Sequence, residues 1–177
     1  MKKEPPNIAL LGFMGSGKTT IGRQLARKIE WQFLDSDDLI EKKSSLSISL
    51  IFEQWGEDYF RSLEKAVLKE VAQKDNVVLA TGGGLPAQED NWQILRKYFL
   101  TIFLQVDFSR LYQRIKGDSH RPLLSQYSTA QELEKLYRER LVYYGRADVI
   151  IDGNRSEREI IEEILYHEKI SGLWRKR

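Results

Sequence analysis

Residues 12–19 carry the sequence pattern of a phosphate-binding loop. They read GFMGSGKT, which fits G-x-x-x-x-G-K-[ST] between an apolar run and an amphipathic stretch. Glycines let successive backbone N–H groups turn toward one anion, and the following helix N-terminus adds partial positive charge. Lys18 can then reach the outer phosphates, and the Thr19 hydroxyl can ligate Mg²⁺. The residues predicted to bind nucleotide here are Gly15, Ser16, Gly17, Lys18, Thr19 and Thr20.

The phosphate loop does not by itself distinguish the classes of protein that carry it. The sequence has no N-K-x-D element for guanine, which argues against a GTPase. At 177 residues the chain is short for a motor or transporter ATPase. A small kinase is the interpretation that remains.

Acidic residues follow the second apolar run, in the segment Asp35-Ser-Asp37-Asp38. In open α/β sheets the carboxyl ends of the strands face the ligand crevice. One of Asp35 and Asp37 could therefore face a metal while the other faces an acceptor hydroxyl, which a kinase must orient or deprotonate. The alternative is that Asp37 or Asp38 merely caps the following helix, and these residues alone do not decide.

Two arginines could bind an anionic acceptor. Glu64 follows Arg61 by three residues on a predicted helix, so its carboxylate could hold the guanidinium in one orientation. Arg140 lies late in another helix, and two converging guanidinium groups suit a carboxylate. Taken alone, the Arg61–Glu64 pair rather favours an exposed ion pair worth roughly a few tenths of a kcal/mol.

An aperiodic segment, about residues 116–129, contains His120-Arg121-Pro122. A rigid Arg-Pro pair in a long loop suits a lid that closes over a transferring phosphoryl group and excludes water. The alternative for Arg121 is a solvated basic side chain.

Three consecutive glycines, Gly82 to Gly84, follow the clearest apolar run of the chain. Glycine loses more backbone freedom on folding than any other residue. The triplet therefore indicates that another group comes very close to the chain at this point.

The elements that must position these residues alternate between strand and helix. Short apolar runs predict strands at 8–11, 32–34, 77–80, 101–106 and 149–151. Helical spacing predicts helices at 18–29, 37–43, 47–74 with an interruption near Gly56, 91–99, 111–115, 130–144 and 157–170. This alternation predicts a three-layer α/β/α fold around a five-stranded parallel sheet.

Composition is that of an ordinary globular domain, and we expect residues 1–177 to form a single one. The net charge of +2 gives no case for nucleic acid, and the lack of cysteine excludes disulfides and Cys-type zinc sites. No apolar stretch approaches the roughly 18 residues that span a bilayer, and the start does not read as a signal peptide. We expect a cytoplasmic monomer without a membrane partner.

Taken together, the motifs resemble those of shikimate kinases over nearly the whole chain. The matching segments, in order, are GFMGSGKT, LDSDDLIE, IFEQWGEDYFRSLE, LATGGG, RPLL and ERLVYYGRAD. The resemblance implies a P-loop kinase fold with a mobile lid, and an acceptor-binding helical segment at about 37–64. It also implies ATP- and Mg²⁺-dependent phosphorylation of the 3-hydroxyl of shikimate, which yields shikimate 3-phosphate and ADP in aromatic amino acid biosynthesis.

For the phosphate side, the resemblance implies a role for each matching residue. Lys18 and Arg121 would stabilise the transferring group, and Arg114 would stack on adenine. Thr19 would ligate Mg²⁺ directly, and Asp35 would lie near the ion through water.

For the acceptor side, Asp37 would bind the ring hydroxyls and act as the base. Arg61 and Arg140 would clamp the carboxylate, with Glu64 positioning Arg61. A backbone N–H of the glycine loop would assist, and the acceptor ring would pack where side chains at Gly82, Gly83 and Gly84 would otherwise lie. The aromatic residues lining the pocket would be Phe52 and Phe60.

The chain departs from the family pattern near Arg140. Val142 stands where members commonly have proline, and the spacing to Ala147-Asp148 is one residue short of that in many members. Arg138 or Arg146 could therefore serve in place of Arg140.

Two other functions stay open at this point. One is another small kinase, of the gluconate or nucleotide type, against which the glycine triplet and the Arg61–Glu64 pair argue. The other is a non-catalytic ATP-binding protein, against which the intact Lys18 and Asp37 argue.

We predict that Asp37→Asn preserves the fold but nearly abolishes turnover, because the amide cannot accept the acceptor's proton. Measured kcat, with circular dichroism as the folding control, tests this. An active Asp37→Asn protein would remove Asp37 from the role of base.

Overall fold

Five short strands form one parallel sheet in the computed structural model, which describes residues 7–116, 127 and 129–174. The strands are β1 (Asn7–Leu11), β2 (Gln32–Asp35), β3 (Val77–Ala80), β4 (Phe99–Gln105) and β5 (Val149–Asp152). Their order across the sheet is β2-β3-β1-β4-β5, and all four neighbouring pairs are parallel. The predicted five-stranded parallel sheet is confirmed.

Helices cover both faces of the sheet and give the predicted three layers. Their bounds are α1 (Lys18–Ile29), α2 (Ser36–Ser44), α3 (Ile48–Val71), α4 (Glu89–Tyr98), α5 (Phe108–Ile115), α6 (Ala130–Tyr144), α7 (Glu157–Tyr166) and α8 (Glu168–Trp174). Side chains alternate along β1, so Ile8 and Leu10 join a core with α1, α7 and α8. Ala9 and Leu11 join a second core with α3, α4 and α6 on the opposite face.

The helix boundaries contain one confirmed interruption and one error. Gly56 interrupts α3 with φ 77° and ψ −178°, a left-handed conformation that favours glycine. The predicted single closing helix over 157–170 is wrong, because His167 is extended, with ψ 131°, and separates α7 from α8. His167 is neither glycine nor proline, so the sequence carries no local signal for this break.

The sheet order explains how distant segments reach one place. Strands β2, β3 and β1 are neighbours and parallel, so all three end at the same edge of the sheet. The phosphate loop follows β1, the acidic segment follows β2, and the glycine triplet follows β3. Within the described ranges, no helix is long and apolar enough to cross a membrane.

Candidate active site

A cavity of about 1040 Å³ opens at the carboxyl edge of the sheet. Its volume is at the upper limit of the usual range for a small-molecule site. Every predicted site residue within the described ranges lines it: Gly15, Ser16, Gly17, Lys18, Thr19, Thr20, Asp35, Asp37, Phe52, Phe60, Arg61, Glu64, Gly82, Gly83, Gly84, Arg114 and Arg140. Arg121 and most of the predicted lid lie outside the described residues.

The phosphate loop is arranged to receive an anion. Gly15 and Gly17 have φ values of 79° and 91°, which turn the chain into the start of α1. Gly17 is the N-cap of α1 and has no side chain to accept from the N–H groups of its first turn. The Lys18 ammonium donates to the carbonyls of Gly12 and Phe13, each at 2.9 Å, and is largely buried.

Asp35 links the phosphate loop to α2. One carboxylate oxygen, Oδ2, accepts from the Thr19 hydroxyl at 2.8 Å, and Oδ1 accepts from the Asp37 N–H at 3.0 Å. Asp35 is therefore the N-cap of α2. The alternative in which Asp37 or Asp38 caps this helix is wrong, and Asp37 instead lines the cavity.

The Arg61–Glu64 ion pair is buried rather than exposed. Arg61 Nη1 donates to Glu64 Oε2 at 2.7 Å, and the side chain of Glu64 is only 1% exposed. Arg61 also donates to Glu57 Oε1 from Nε and Nη2, at 3.1 and 2.6 Å. The interpretation as a surface pair is therefore wrong, because α3 turns both side chains into the cavity.

Burial sets the protonation chemistry of this pair. Burial raises the pKa of the Glu64 carboxyl, and the charge of Arg61 only partly opposes the shift. Burial alone would lower the pKa of Arg61, but Glu64 and Glu57 outweigh it and the pKa is raised. Arg61 thus stays a cation at the floor of the cavity.

Arg140, and neither of its two alternatives, reaches the cavity. It is 6% exposed, whereas Arg138 is 73% exposed and paired with Glu134. Arg146 forms a bidentate ion pair with Glu89 and does not line the cavity. The Nη1 atom of Arg140 is buried without a hydrogen-bond partner within the described part of the chain, as is Oε1 of Glu64.

The glycine triplet makes room for the charged side chains of the protein itself. A Cβ on Gly82 would lie 2.6 Å from Asp37 Oδ1, and one on Gly84 would lie 2.3 Å from Arg61 Nη1. A Cβ on Gly83 would lie 3.3 Å from Arg140 Nη1. None of the three glycines has a positive φ. The side chains of Asp37 and Arg61 therefore lie against Gly82 and Gly84, and the packing of an acceptor ring on this loop stays a prediction.

Hydrogen bonds from neighbouring elements hold the glycine loop. The Gly82 N–H donates to Ser36 Oγ at 2.7 Å, and the Tyr144 hydroxyl donates to the Gly83 carbonyl at 2.7 Å. The Gly83 and Gly84 N–H groups have no hydrogen-bond partner among the described residues. These two N–H groups are therefore available to an anion in the cavity.

One wall of the cavity was not predicted from the sequence. Gly153, Arg155 and Glu157, which lie in or follow the turn after β5, line it together with Arg114. Arg114 Nη1 donates to the Gly15 carbonyl at 2.9 Å, which fixes α5 against the phosphate loop. The rule that identified Asp35, a polar residue at the carboxyl end of a parallel strand, could have found Arg155 as well.

Known proteins resemble this chain over most of its length. The family model described as "Shikimate kinase" matches residues 14–168. A shikimate kinase from Aquifex aeolicus (strain VF5) is 40% identical over 158 residues, covering 89% of this chain and 93% of that protein. One from Prochlorococcus marinus (strain NATL2A) is 42% identical over 163 residues, covering 91% of this chain and 82% of that protein.

Solved structures give the same result at the level of the fold. The crystal structure of the Aquifex aeolicus shikimate kinase matches with a TM-score of 0.83 and 39% identity, covering 94% of this chain and 96% of that one. A shikimate kinase from Acinetobacter baumannii in complex with shikimate matches with a TM-score of 0.87 and 39% identity, covering 91% of each chain. A gluconokinase from Sinorhizobium meliloti shares the fold alone, at 17% identity and a TM-score of 0.60. With the family model covering most of its length and relatives at about 40% identity, the chain belongs to the shikimate kinase family.

Proposed function

We propose that this protein transfers the γ-phosphoryl group of ATP to the 3-hydroxyl of shikimate. The observation that carries the proposal is one cavity lined both by an anion-binding loop and by two arginines, of which Arg140 is buried and Arg61 has a side chain only 13% exposed. The loop suits a nucleotide, and the arginines suit the carboxylate of a small acid. Asp37 lines the same cavity, beside Gly82 of the glycine loop.

The nucleotide occupies the phosphate loop and the wall beyond it. Backbone N–H groups at the start of α1 receive the phosphates, and Lys18 neutralises their charge. We assign Arg114, whose Nη1 donates to the Gly15 carbonyl, to stacking on adenine. Arg155 also lines the cavity, where it pairs with Asp152 and Glu163.

Mg²⁺ fits the oxygen atoms near the start of α1. The Thr19 hydroxyl and the Asp35 carboxylate are 2.8 Å apart, and Mg²⁺ prefers such hard oxygen ligands together with phosphates and water. Within the described ranges, no cluster of three His, Cys, Asp or Glu residues could hold a metal ion. We assign Thr19 as a direct ligand and Asp35 as a ligand through water. When bound, the ion neutralises charge on the phosphates.

The acid is bound through its carboxylate. Arg61 is oriented by Glu64, and Arg140 presents an unpaired Nη1 atom beside Gly83. The Gly83 and Gly84 N–H groups supply neutral donors to the same anion. Phe52 and Phe60, whose ring centroids lie 4.8 Å apart, form the apolar wall for the ring.

Phosphoryl transfer then depends on positioning and charge. The 3-hydroxyl oxygen of the acid forms a bond to the γ-phosphorus, and the Asp37 carboxylate accepts the proton that this hydroxyl loses. The bond from that phosphorus to the bridging oxygen of ATP breaks, and ADP leaves with the electron pair. Lys18 stabilises the negative charge on the transferring group, and we assign the same role to Arg121.

The remaining assignments concern the organisation of the chain. We propose that residues 1–177 act as one kinase domain, with 37–64 as the acceptor-binding segment and about 116–129 as a lid. We also propose that the protein acts as a monomer.

The direct test is an acceptor panel. Purified protein with Mg²⁺-ATP should release ADP with shikimate, but not with quinate, gluconate or a nucleoside monophosphate. Release with gluconate or a nucleotide would keep a kinase and overturn the assigned acceptor. ATP binding without turnover of any acceptor would favour a non-catalytic protein.

The carboxylate clamp predicts the effect of removing Arg61. Arg61→Ala should raise the KM for shikimate by about 10- to 100-fold, because a charge-assisted bond to the anion is lost. Initial-rate kinetics measure it, with Arg138→Ala, on the exposed side of α6, as the matched control. Arg61→Lys keeps a cation beside buried Glu64 if the alanine variant does not fold. An unchanged KM would place the clamp elsewhere.

The crowding around the glycine loop predicts the effect of one added methyl group. Gly84→Ala should displace the Arg61 guanidinium, because its Cβ would lie 2.3 Å from Nη1. We expect the KM for shikimate to rise about tenfold while the KM for ATP stays the same. Val142→Ala, which shortens a side chain that is 71% exposed on α6, is the control. Wild-type kinetics in Gly84→Ala would contradict the role given to this glycine.

A further inference from the structure

Tyr144 is a buried residue that the mechanism above does not use. It is the last residue of α6 and its side chain has no exposed surface. Its ring packs against Phe103 with ring centroids 5.2 Å apart, in the core beneath the cavity. Its hydroxyl donates to the Gly83 carbonyl at 2.7 Å.

Packing alone does not require this hydroxyl group. A phenylalanine would fill the same space, and burying a hydroxyl is unfavourable unless it is well hydrogen-bonded. Burial raises the pKa of Tyr144 to about 12, with the charge of Arg140 opposing the shift. The phenol therefore stays neutral and acts as a permanent donor to the loop.

The position of Tyr144 couples two parts of the carboxylate site. Arg140 precedes Tyr144 by four residues on α6, so both side chains lie on the same face of the helix. A Cβ on Gly83 would lie 3.3 Å from Arg140 Nη1 and 3.6 Å from the Tyr144 hydroxyl oxygen. The guanidinium, the phenol and the loop backbone therefore converge on one point.

The bond to the Gly83 carbonyl also determines where a neighbouring donor points. A trans peptide is planar, so fixing the Gly83 carbonyl fixes the Gly84 N–H in the opposite direction. On the other side of Gly83, the Gly82 N–H is bound by Ser36. The loop is thus held from α2 and from α6. The Gly83 N–H lies between the two anchored groups, and the Gly84 N–H belongs to the same peptide as the anchored Gly83 carbonyl.

We infer that Tyr144 is a positioning residue for the acceptor carboxylate, whose hydroxyl holds the Gly83–Gly84 peptide beside the Arg140 guanidinium. The inference rests on the proposed function, because it concerns the acid-binding half of the same cavity. Tyr144 does not itself touch the substrate. It holds the backbone N–H donors and the Arg140 guanidinium in a fixed relative position before the acid binds.

The test compares Tyr144→Phe with Tyr137→Phe. Tyr137 is a second buried tyrosine of α6, and its hydroxyl donates to the Val106 carbonyl at 3.0 Å. It does not line the cavity, so Tyr137→Phe removes an equivalent bond away from the carboxylate site. Both variants are made in the full chain and assayed well below their melting temperatures.

We expect Tyr144→Phe to raise the KM for shikimate about tenfold, with kcat and the KM for ATP within about twofold of wild type. Tyr137→Phe should change none of the three. A fall in kcat with both KM values unchanged, or equal changes in the two variants, would overturn the inference. Tyr144→Met, a second variant without the hydroxyl, replaces Tyr144→Phe if that protein does not fold.

A second substrate separates positioning from general loosening of the site. The methyl ester of shikimate lacks the carboxylate charge but keeps the ring hydroxyls. If Tyr144 acts through the carboxylate, Tyr144→Phe should lower kcat/KM roughly tenfold with shikimate but leave kcat/KM for the ester about equal to that of the wild type. An equal loss with acid and ester would overturn the inference. Wild-type protein inactive with shikimate would instead overturn the proposed function itself.

Discussion

The buried ion pair between Arg61 and Glu64 is the interaction on which the acceptor half of the cavity depends. Removing a carboxylate from water costs on the order of several kcal/mol, so Glu64 requires a permanent cation beside it. Arg61 satisfies that requirement and remains charged through its contacts with Glu64 and Glu57. One oxygen of Glu64 and one nitrogen of Arg140 nevertheless stay unpaired. The floor of the cavity thus holds polar atoms that can still form hydrogen bonds with a ligand.

The parallel sheet is what allows this concentration of charge. Strands β2, β3 and β1 end side by side, and each delivers a different segment to one edge. The charged groups come from α2, α3 and α6, and they can approach one another only because the loop after β3 has no side chains. The fold provides proximity, while the glycines provide clearance for the groups that bind and orient.

Local patterns predicted the phosphate loop, the strands and most helices, because their signals lie within a few residues of each other. The interruption at Gly56 could be predicted in the same way, because a positive φ favours glycine. The break at His167 could not be predicted, because neither glycine nor proline marks the extended residue between α7 and α8.

Burial was the main quantity that the sequence could not supply. At a spacing of three residues, Arg61 and Glu64 form an ordinary surface pair or a buried one, and only the packing of α3 decides. Likewise, the sequence does not distinguish Asp35 from Asp37. The structure does, because Asp35 is the N-cap of α2 and accepts from the Asp37 N–H. The family resemblance named residues that the structure gathers around one cavity, and the roles it implies for them stay predictions. It did not indicate that the side chains of Asp37 and Arg61 lie against the glycines.

The contact between Lys18 and its own loop has a consequence for the arrival of a nucleotide. The Gly12 and Phe13 carbonyls already take the place of the water molecules that would hydrate the ammonium. An incoming polyphosphate therefore meets a cation that has lost much of its hydration shell during folding. In water, an ammonium group must lose water molecules before it pairs with an anion. At Lys18 the fold has already replaced much of that water with backbone carbonyls.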